Sequence, residues 1–391
     1  MPEAVLAAAA RSPIGRLGGG LGKLSAGALG GALAVEFWRR FSIDPKDIDE
    51  TILGCVLQGG QGMNVARQVA IGAGVPADRP ALTVNQVCAS GLTAIELAAG
   101  QVESGRARLV LAGGVDSMST APHLLRRLRR GRQYGPAEVE DLILVDGLTC
   151  ALEHIHMGET AEEINFEYGL SRELQDAYAL QSQQRYRAAA AKLAEEILPL
   201  RSADNPEAAG LEVDELPRDS DLQGLARLRP VFAPNGSVTA GNASGLADGA
   251  ALVLVAERGF AHQLGLTTLA RLQGFTTVGV DPRRMGIAPA PAIRKLLREH
   301  GQSLGEIDLL EINEAFAGQV LAVLADLGIS QERVNVNGGA VALGHPLGAT
   351  GARILISLVH ELVRRGGGRG VAALCVGGGM GKAALVEVGA A

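Results

Sequence analysis

The stretches VNQVCASGLTAI (84–95) and VNGGAVALGHPLGATGARI (336–354) share one plan, in which an apolar strand runs into a glycine-rich turn and then a helix. Similar strings flank both stretches in the same order: IDETILGCV (48–56) pairs with IDLLEINEA (307–315), and RLVLAGGVDSM (108–118) pairs with GVAALCVGGGM (370–380). The offset of about 250–260 residues is far longer than the period of a repeat array. We therefore predict two similar α/β halves; the alternative is chance similarity between short strings rich in glycine and valine.

Strand-like and helix-like segments alternate along the chain, which is typical of an α/β fold. Residues 82–87 are predicted as a strand, 91–101 as a helix and 108–114 as a second, buried strand. The stretch AVLAAAA (4–10) is expected to form a buried first strand. It is not read as a signal peptide, because Glu3 stands where such a peptide carries basic residues.

Residues 118–250 differ in character from both halves. They hold a basic run, RRLRRGR (126–132), a helical segment at 159–198 and a polar stretch at 199–230. Long insertions in compact α/β domains are usually functional loops, and the basic run is expected to be a solvated loop or a subunit contact. The predicted organisation is an N-terminal α/β half (1–117 plus 251–268), an inserted helical and loop domain (118–250) and a C-terminal α/β half (269–391).

Composition and charge exclude several classes of function. The net charge of −6 over 391 residues gives no basic footprint for nucleic acid. No apolar run approaches the roughly 18 residues that a membrane span needs. Four cysteines without a CxxC pair are too sparse for a disulfide framework, so we read them as reduced thiols of a cytosolic protein. Neither a nucleic-acid nor a membrane partner is expected.

Cys88 lies where a predicted strand turns into a helix. Backbone N–H groups at a helix start lower the pKa of a thiol and can also hold an oxyanion. The small neighbours Ala89, Ser90 and Gly91 would let a substrate carbonyl approach closely. The alternative is a buried, inert cysteine, which is the commonest fate of a free thiol.

His345 and Cys375 are candidates to act with Cys88. His345 lies in a glycine-rich turn before a helix, and alone it is equally compatible with a structural role in that turn. Cys375 follows a strand in LCVGGGMG; the glycines are not a dinucleotide-binding turn, because KAALVEV (382–388) reads as a strand and no helix follows. If the halves are equivalent, Cys88 and His345 face each other across a pseudo-twofold axis and Cys375 joins them. A thiol beside an imidazole is the recurring arrangement of an activated nucleophile.

Other polar residues are weaker candidates. Asn313 follows an apolar strand and either orients a water or carbonyl or caps a helix. Cys150, His154 and His156 are close in sequence, but their spacing matches none of the common zinc patterns, so no metal site is expected.

The four strings NQVCASG, NEAFAG, GGAVALGHPLGATGAR and CVGGGMG, in this order and with full-length spacing, make the chain similar to the thiolase family. The resemblance is strongest to acetyl-CoA acetyltransferases and 3-ketoacyl-CoA thiolases. It implies a duplicated five-layered α/β/α/β/α fold with an inserted loop domain over the coenzyme A site, and a homodimer or homotetramer. Two departures are Ala89, where many relatives have glycine, and GHPLGAT in place of the commoner GHPIGAS.

The resemblance also implies roles for the candidate residues. Cys88 would be the acylated nucleophile and His345 the base that activates it. Cys375 would be the acid and base of the second half-reaction, which requires it to titrate near working pH in an electropositive, partly buried pocket. Asn313 would hold a water that stabilises an enolate together with His345. The N–H groups of Cys88 and Gly377 would form an oxyanion hole.

For coenzyme A, AGNASGLADGA (240–250) is similar to the family's pantetheine loop, with Ser244 at its contact position. Further expected contacts in the ligand tunnel are Leu148, His156, Arg218, Phe232, Ala315 and Phe316.

The expected activity is condensation of acetyl-CoA to acetoacetyl-CoA, or thiolysis of 3-ketoacyl-CoA, by a ping-pong mechanism. Coenzyme A and its thioesters are the substrates, and no cofactor is expected. Three alternatives remain from the sequence: a ketoacyl-synthase-like condensing enzyme, a non-catalytic coenzyme A-binding scaffold and a nucleotide-dependent dehydrogenase. The first would normally carry a second histidine where this chain has Cys375, and the last lacks a helix after GGGMG.

Overall fold

The computed structural model describes residues 2–131, 133–200 and 211–389, so parts of the predicted basic run and of the polar stretch at 199–230 lie outside the described residues. The strands are β1 (Ala4–Arg11), β2 (Gly15–Arg16), β3 (Glu50–Gly54), β4 (Ala81–Val84), β5 (Leu109–Ser117), β6 (His123–Leu124), β7 (Glu140–Asp141), β8 (Ala247–Glu257), β9 (Ala270–Gly279), β10 (Leu309–Ile312), β11 (Gly368–Val376) and β12 (Met380–Val388). The α-helices are α1 (Ala26–Phe41), α2 (Val65–Gly72), α3 (Ser90–Glu103), α4 (Met157–Glu167), α5 (Arg172–Leu193), α6 (Leu222–Ala226), α7 (Arg258–Gln263), α8 (Pro289–Glu299), α9 (Ala317–Leu327), α10 (Ala340–Leu343) and α11 (Leu347–Arg364).

The strand order shows the duplication directly. In the N-terminal half the order is β4-β3-β5-β8-β1, with parallel pairs β4·β3 and β3·β5 and antiparallel pairs β5·β8 and β8·β1. In the C-terminal half β10-β11-β12-β9 repeats the last four positions with the same pair directions. The counterpart of β4 is only a parallel bridge between Leu310 and Val334. The prediction of two equivalent halves is confirmed, whereas the second VN string, Val336-Asn337, does not form a strand.

The apolar core divides into the layers that the five-layered fold predicts. One core cluster joins α1 and α2 to one face of the N-terminal strands. A second joins α3 and α11 to the inner faces of both sets of strands. A third packs α8 and α9 against the outer face of the C-terminal strands. Strand β1 also pairs with β9, so the strands of both halves form one continuous sheet, and helices α3 and α11 form the central layer between its two halves.

Glycine is what lets α3 and α11 approach each other so closely. A Cβ atom on Gly351 would lie 2.6 Å from the backbone nitrogen of Leu92, and one on Gly91 would lie 2.7 Å from the carbonyl oxygen of Gly348. Both distances are too short for a real methyl group, so these positions accept only glycine without a shift of the backbone. The helix starts after Cys88 and His345 are thereby held side by side.

The first strand is fully buried, as predicted, and anchors the segment between the halves. Arg11 at its end has no exposed surface and forms ion pairs with Glu196 and Asp214, each at 2.7 Å. A buried guanidinium needs such partners, and removing one would leave an uncompensated charge. These contacts fix the end of the α5 region and the loop at 211–220 against β1.

Helices and loops make up most of the segment predicted as an insertion, and the short strands β6 and β7 also lie in it. Helices α4 and α5 account for most of the predicted helical segment, and a π-helical turn covers Ile143–Leu148. In the described part of the basic run, side chains are exposed between β6 and β7, and Arg126 pairs with Glu140 at 2.5 Å. Among the described residues, no helix has both the length and the apolar character that crossing a bilayer requires. The exact domain boundaries stay a prediction.

Candidate active site

A cavity of about 470 Å³ lies where both halves and the inserted segment meet, and the three predicted reactive residues line it. Cys88 comes from the N-terminal half, and His345 and Cys375 come from the C-terminal half. The other lining residues are Val87, Met118, Leu144, Gly147, Leu148, His156, Met157, Val231, Phe232, Thr239, Ala240, Ala243, Ser244, Gly245, Leu246, Met285, Ala315, Phe316, Leu347 and Gly377. Two thiols and an imidazole that are far apart in the sequence thus share one apolar cavity.

A strained turn presents Cys88 to the cavity. Strand β4 ends at Val84, and Val87 has φ 47°, a left-handed conformation that costs a β-branched residue about 1–3 kcal/mol. The Ser90 hydroxyl stabilises the turn, because it accepts the N–H of Gln86 at 2.8 Å and donates to the carbonyl of Val87 at 2.6 Å. The strand predicted at 82–87 therefore ends three residues earlier, at Val84. Cys88 lies in the sharp turn between β4 and α3.

The N–H groups of Cys88 and Gly377 both act on the sulfur of Cys88. They lower its pKa, as the sequence suggests for a thiol at a helix start. Burial outweighs them, and the negative charge of Asp116 works in the same direction, so the pKa of Cys88 is raised to about 11. The expectation of a lowered pKa is wrong for the resting protein. Cys88 is a thiol that must give its proton to a base when it reacts.

His345 lines the same cavity as Cys88. Its Nδ1 lies 2.7 Å from the hydroxyl of Thr350, and its Nε2 lies 3.5 Å from the amide nitrogen of Asn313. The ring is buried, and burial together with the positive charge of Arg353 lowers the pKa of His345 to about 3. The imidazole is therefore neutral at ordinary pH and able to accept a proton.

Cys375 is more deeply buried than the sequence suggests. Its side chain is only 1% exposed, and burial raises its pKa well above the ordinary value, with a further contribution from Cys88. The expected electropositive, partly buried surroundings are not what the structure has: both effects disfavour the thiolate. Cys375 is therefore a protonated thiol at ordinary pH.

Asn313 follows β10, and its side chain points to His345 and does not cap a helix. Helix α9 begins at Ala317 with Phe316 as its capping residue, so the helix-capping alternative is wrong. The side chain is 1% exposed, and its Oδ1 has no hydrogen-bond partner within the described part of the chain. This oxygen is able to accept a hydrogen bond from a bound water.

Six of the seven residues predicted to contact coenzyme A line the cavity: Leu148, His156, Phe232, Ser244, Ala315 and Phe316. Phe232 stacks on the ring of His156 with centroids 4.6 Å apart and meets the edge of Phe316. The N–H of Ser244 donates to the carbonyl of Ala315 at 3.0 Å, which fixes the loop at 240–246 against the start of α9.

The seventh predicted contact, Arg218, lies outside the cavity lining of the described structure. Its guanidinium donates to the carbonyl of Ala240 at 2.8 Å, and Ala240 itself lines the cavity. Arg218 therefore stabilises the loop at 240–246 through its backbone, without lining the cavity itself.

Sequence reasoning missed two polar residues next to the reactive groups. Asp116 is fully buried and accepts hydrogen bonds from the N–H groups of Val56, Leu57 and Gly348. Thr350 is also fully buried and contacts His345. The sequence contained a signal for both residues, because each is a polar residue in a string made mostly of glycine and apolar residues, VLAGGVDSM (110–118) for Asp116 and PLGATGA (346–352) for Thr350. No group of three or more His, Cys, Asp or Glu side chains among the described residues is arranged to hold a metal ion.

Comparison with known proteins gives matches over nearly the whole chain. The family model described as "Thiolase, N-terminal domain" matches residues 4–259, and the model "Thiolase, C-terminal domain" matches residues 266–388. The acetyl-CoA acetyltransferase of Chromobacterium violaceum is 48% identical over 98% of this chain and 99% of its own length. A probable acetyl-CoA acetyltransferase of Escherichia coli is 48% identical over 99% of both chains.

Solved structures agree with the sequence matches. The crystal structure of the Bacillus anthracis acetyl-CoA acetyltransferase has a TM-score of 0.96 and 44% identity and covers 99% of both chains. Human mitochondrial 3-ketoacyl-CoA thiolase in complex with CoA has a TM-score of 0.94 and 41% identity and covers 99% of this chain and 98% of its own.

Proposed function

The chain belongs to the thiolase family, and from this premise we propose that it is an acetyl-CoA C-acyltransferase that forms acetoacetyl-CoA from two acetyl-CoA molecules and cleaves 3-ketoacyl-CoA in the reverse direction. The observation that supports this most strongly is the single cavity that holds Cys88, His345 and Cys375. The reaction proceeds in two half-reactions through a thioester on Cys88.

In the first half-reaction, His345 Nε2 takes the proton of Cys88 and the thiolate attacks the carbonyl of acetyl-CoA. The N–H groups of Cys88 and Gly377 point to the reacting sulfur and donate to the oxyanion of the tetrahedral intermediate. When the carbon–sulfur bond of the substrate breaks, Cys375 gives its proton to the departing coenzyme A thiolate. Acetyl-Cys88 remains, with a Cys375 thiolate and a His345 imidazolium that balance each other in charge.

In the second half-reaction, the Cys375 thiolate removes an α-proton from a second acetyl-CoA. The enolate oxygen accepts a hydrogen bond from His345 Nε2–H and from a water held by Asn313, whose Oδ1 is otherwise unpartnered within the described residues. The enolate carbon attacks acetyl-Cys88, and the new carbon–carbon bond forms as the carbon–sulfur bond breaks. His345 returns its proton to Cys88, so both thiols and the neutral imidazole are restored.

The pKa directions suit this sequence of steps. Burial raises the pKa of Cys88 to about 11 and also that of Cys375, so neither thiol ionises alone at rest. The Cys375 thiolate forms only after His345 has become positively charged, in the same cavity. The first half-reaction therefore generates the reactive Cys375 thiolate. Without substrate, the protein contains no free thiolate in the cavity that could undergo side reactions.

The coenzyme A moiety is proposed to enter past Phe232, His156 and the loop at 240–246. These residues give apolar and aromatic surface for the pantetheine chain, with Ser244 as a polar contact. No metal or redox cofactor is required by the steps above, because each proton and electron pair is carried by a residue of the chain or by the substrate.

We also propose a cytoplasmic homodimer or homotetramer. Strand β4 is at one end of the sheet, so one of its edges is unpaired in the described structure. Leu82 on this strand is 44% exposed. An open edge with an exposed leucine is suited to pairing with a second copy of the chain. Sedimentation analysis would distinguish a monomer from either assembly.

The test of the proposed reaction is acetylation of the protein by acetyl-CoA, followed by peptide mass spectrometry. We expect one acetyl group, on Cys88, and none on a Cys88→Ala variant. Cys150→Ala is the matched control, because Cys150 is also buried beside the cavity and belongs to the same apolar cluster as Cys375. This control should retain the label. An acetyl group on another residue, or none, would contradict the proposal.

A further inference from the structure

The hydroxyl of Thr350 is the buried partner of the catalytic imidazole. Thr350 lies in the first turn of α11, five residues after His345, and has no exposed surface. Its Oγ1 is 2.7 Å from His345 Nδ1 and also donates a hydrogen bond to the carbonyl oxygen of Pro346 at 2.9 Å. The hydroxyl therefore touches both the imidazole and the backbone of the turn that carries it.

The bonding capacity of a hydroxyl decides which ring nitrogen carries the proton. A threonine hydroxyl has one hydrogen and accepts through its lone pairs. That hydrogen serves only one of the two contacts: when it is directed to Pro346, Oγ1 accepts at Nδ1, and the His345 proton then resides on Nδ1. A threonine that bonds the carbonyl four residues earlier has a fixed χ1 angle in a helix, so Oγ1 is held in this direction.

The contact at Nε2 of His345 is consistent with a proton on Nδ1. The amide nitrogen of Asn313 lies 3.5 Å from Nε2 and is a donor, so it faces a lone pair there. Both neighbours of the imidazole thus favour a proton on Nδ1 and an unprotonated Nε2.

We propose that Thr350 is a positioning residue, which holds His345 as the Nδ1–H tautomer so that Nε2 alone exchanges protons with Cys88 and the substrate. This inference rests on the proposed acyl-transfer function. It assigns to Thr350 the orienting part that a carboxylate has in many nucleophile–histidine sites.

A neutral orienting group has a specific chemical effect. A carboxylate at this point would stabilise the imidazolium and keep His345 charged at rest. The hydroxyl orients the ring without a counter-charge, and the positive charge of Arg353, one turn further along α11, disfavours a positive charge on His345. His345 therefore begins the reaction as a neutral base.

The experiment measures the tautomer and the rate separately. Two-bond ¹H–¹⁵N correlation spectra of ¹⁵N-histidine-labelled protein distinguish the two neutral tautomers, and a His345→Gln variant assigns the signals. We expect Nδ1–H for His345 in the wild-type protein. An Nε2–H signal there would overturn the proposal without any variant and without bearing on acetylation of Cys88.

Thr350→Val removes the hydroxyl at nearly constant volume, and Thr350→Ser retains it. We expect Thr350→Val to lose the Nδ1–H signature and to lower the rate of Cys88 acetylation about 10- to 100-fold, with KM for acetyl-CoA changed less than about threefold. Thr350→Ser should restore the signature and most of the rate. A folded valine variant with the wild-type tautomer and rate would contradict the proposal, and so would a folded serine variant as slow as a folded valine variant. If Thr350→Val does not fold, the serine variant and the wild-type spectrum still decide the outcome.

Discussion

The backbone N–H of Gly348, at the start of α11, donates a hydrogen bond to the buried carboxylate of Asp116 near the end of β5. The same carboxylate accepts the N–H groups of Val56 and Leu57, which follow β3. One side chain of the N-terminal half thus fixes the turn that carries His345 in the C-terminal half. We therefore expect the distance between the turns that carry Cys88 and His345 to depend on the carboxylate of Asp116.

Replacing Asp116 with asparagine should destabilise the protein. An amide cannot accept all of these bonds, and one of its N–H₂ hydrogens would face a backbone donor, so we expect a loss of about 2–4 kcal/mol in the free energy of unfolding. Urea denaturation at pH 8 measures this loss. Asp141→Asn is the control, because Asp141 accepts the N–H of Ile143 in a partly exposed position, with no second N–H donor among the described residues. An unchanged midpoint for Asp116→Asn would show that the carboxylate does not hold the halves together.

The contact between α3 and α11 predicts opposite effects for two glycine-to-alanine changes. Gly351→Ala would place a methyl group 2.6 Å from the backbone of Leu92, so we expect a loss of roughly 2 kcal/mol or more and reduced activity. Gly100→Ala, in the last turn of α3, meets nothing within 4 Å and should stabilise the helix by about 0.5–1 kcal/mol. Thermal unfolding of both variants tests the pair. Equal shifts would contradict the close approach of the helices.

A Cys375→Ser variant should separate the two half-reactions. Serine keeps the size of the side chain but is a far weaker acid, so removal of the α-proton should slow by about 10³-fold. Acetylation of Cys88 should remain detectable by mass spectrometry. The measurement is condensation of acetyl-CoA beside single-turnover acetylation of the same sample. Normal condensation by this variant would remove Cys375 from the proposed mechanism.

The buried imidazole should make the protein sensitive to acid. The pKa of His345 is lowered from 6.5 to about 3 in the folded state, so below pH 6.5 the unfolded chain binds the extra proton and the folded chain does not. Its contribution to stability is therefore complete above pH 6.5 and is lost as pH falls, by about 3 kcal/mol between pH 7 and pH 4.

A His345→Asn variant should lack this part of the pH dependence. We expect its free energy of unfolding to fall less than that of the wild type between pH 7 and pH 4, whatever its value at pH 7. His262→Asn is the matched control, because His262 is exposed at the end of α7 and does not line the cavity. Identical slopes for wild type and His345→Asn would show that the imidazole is protonated in the folded protein.

Much of the architecture was accessible from the sequence because the duplication repeats local patterns. The strand before Cys88, the helix after it and the buried first strand follow from runs of apolar residues with turn residues at their ends. The grouping of Cys88 with His345 followed from the equivalence of the halves. Local patterns carry this information because each half is built from short strand–helix units.

Other features depend on contacts that no local pattern contains. The strand before Cys88 ends early because Val87 adopts a left-handed backbone, which valine rarely does. The pKa of Cys88 depends on the loss of bulk water around its sulfur in the folded chain, and this outweighs the effect of the helix start. The bond from Arg218 to the carbonyl of Ala240 depends on the fold of the loop, and its predicted contact with coenzyme A stays a prediction. Asp116 connects segments more than 200 residues apart.

The side-by-side helix starts also constrain how such a protein can arise. In a single ancestral unit, two identical turns would meet only when two copies associated, and both would carry the same side chain. Joining the copies in one polypeptide frees each turn to vary by itself, so one can retain sulfur while the other acquires a ring nitrogen. The asymmetry between Cys88 and His345 is therefore a property that a fused chain can encode and a pair of identical units cannot.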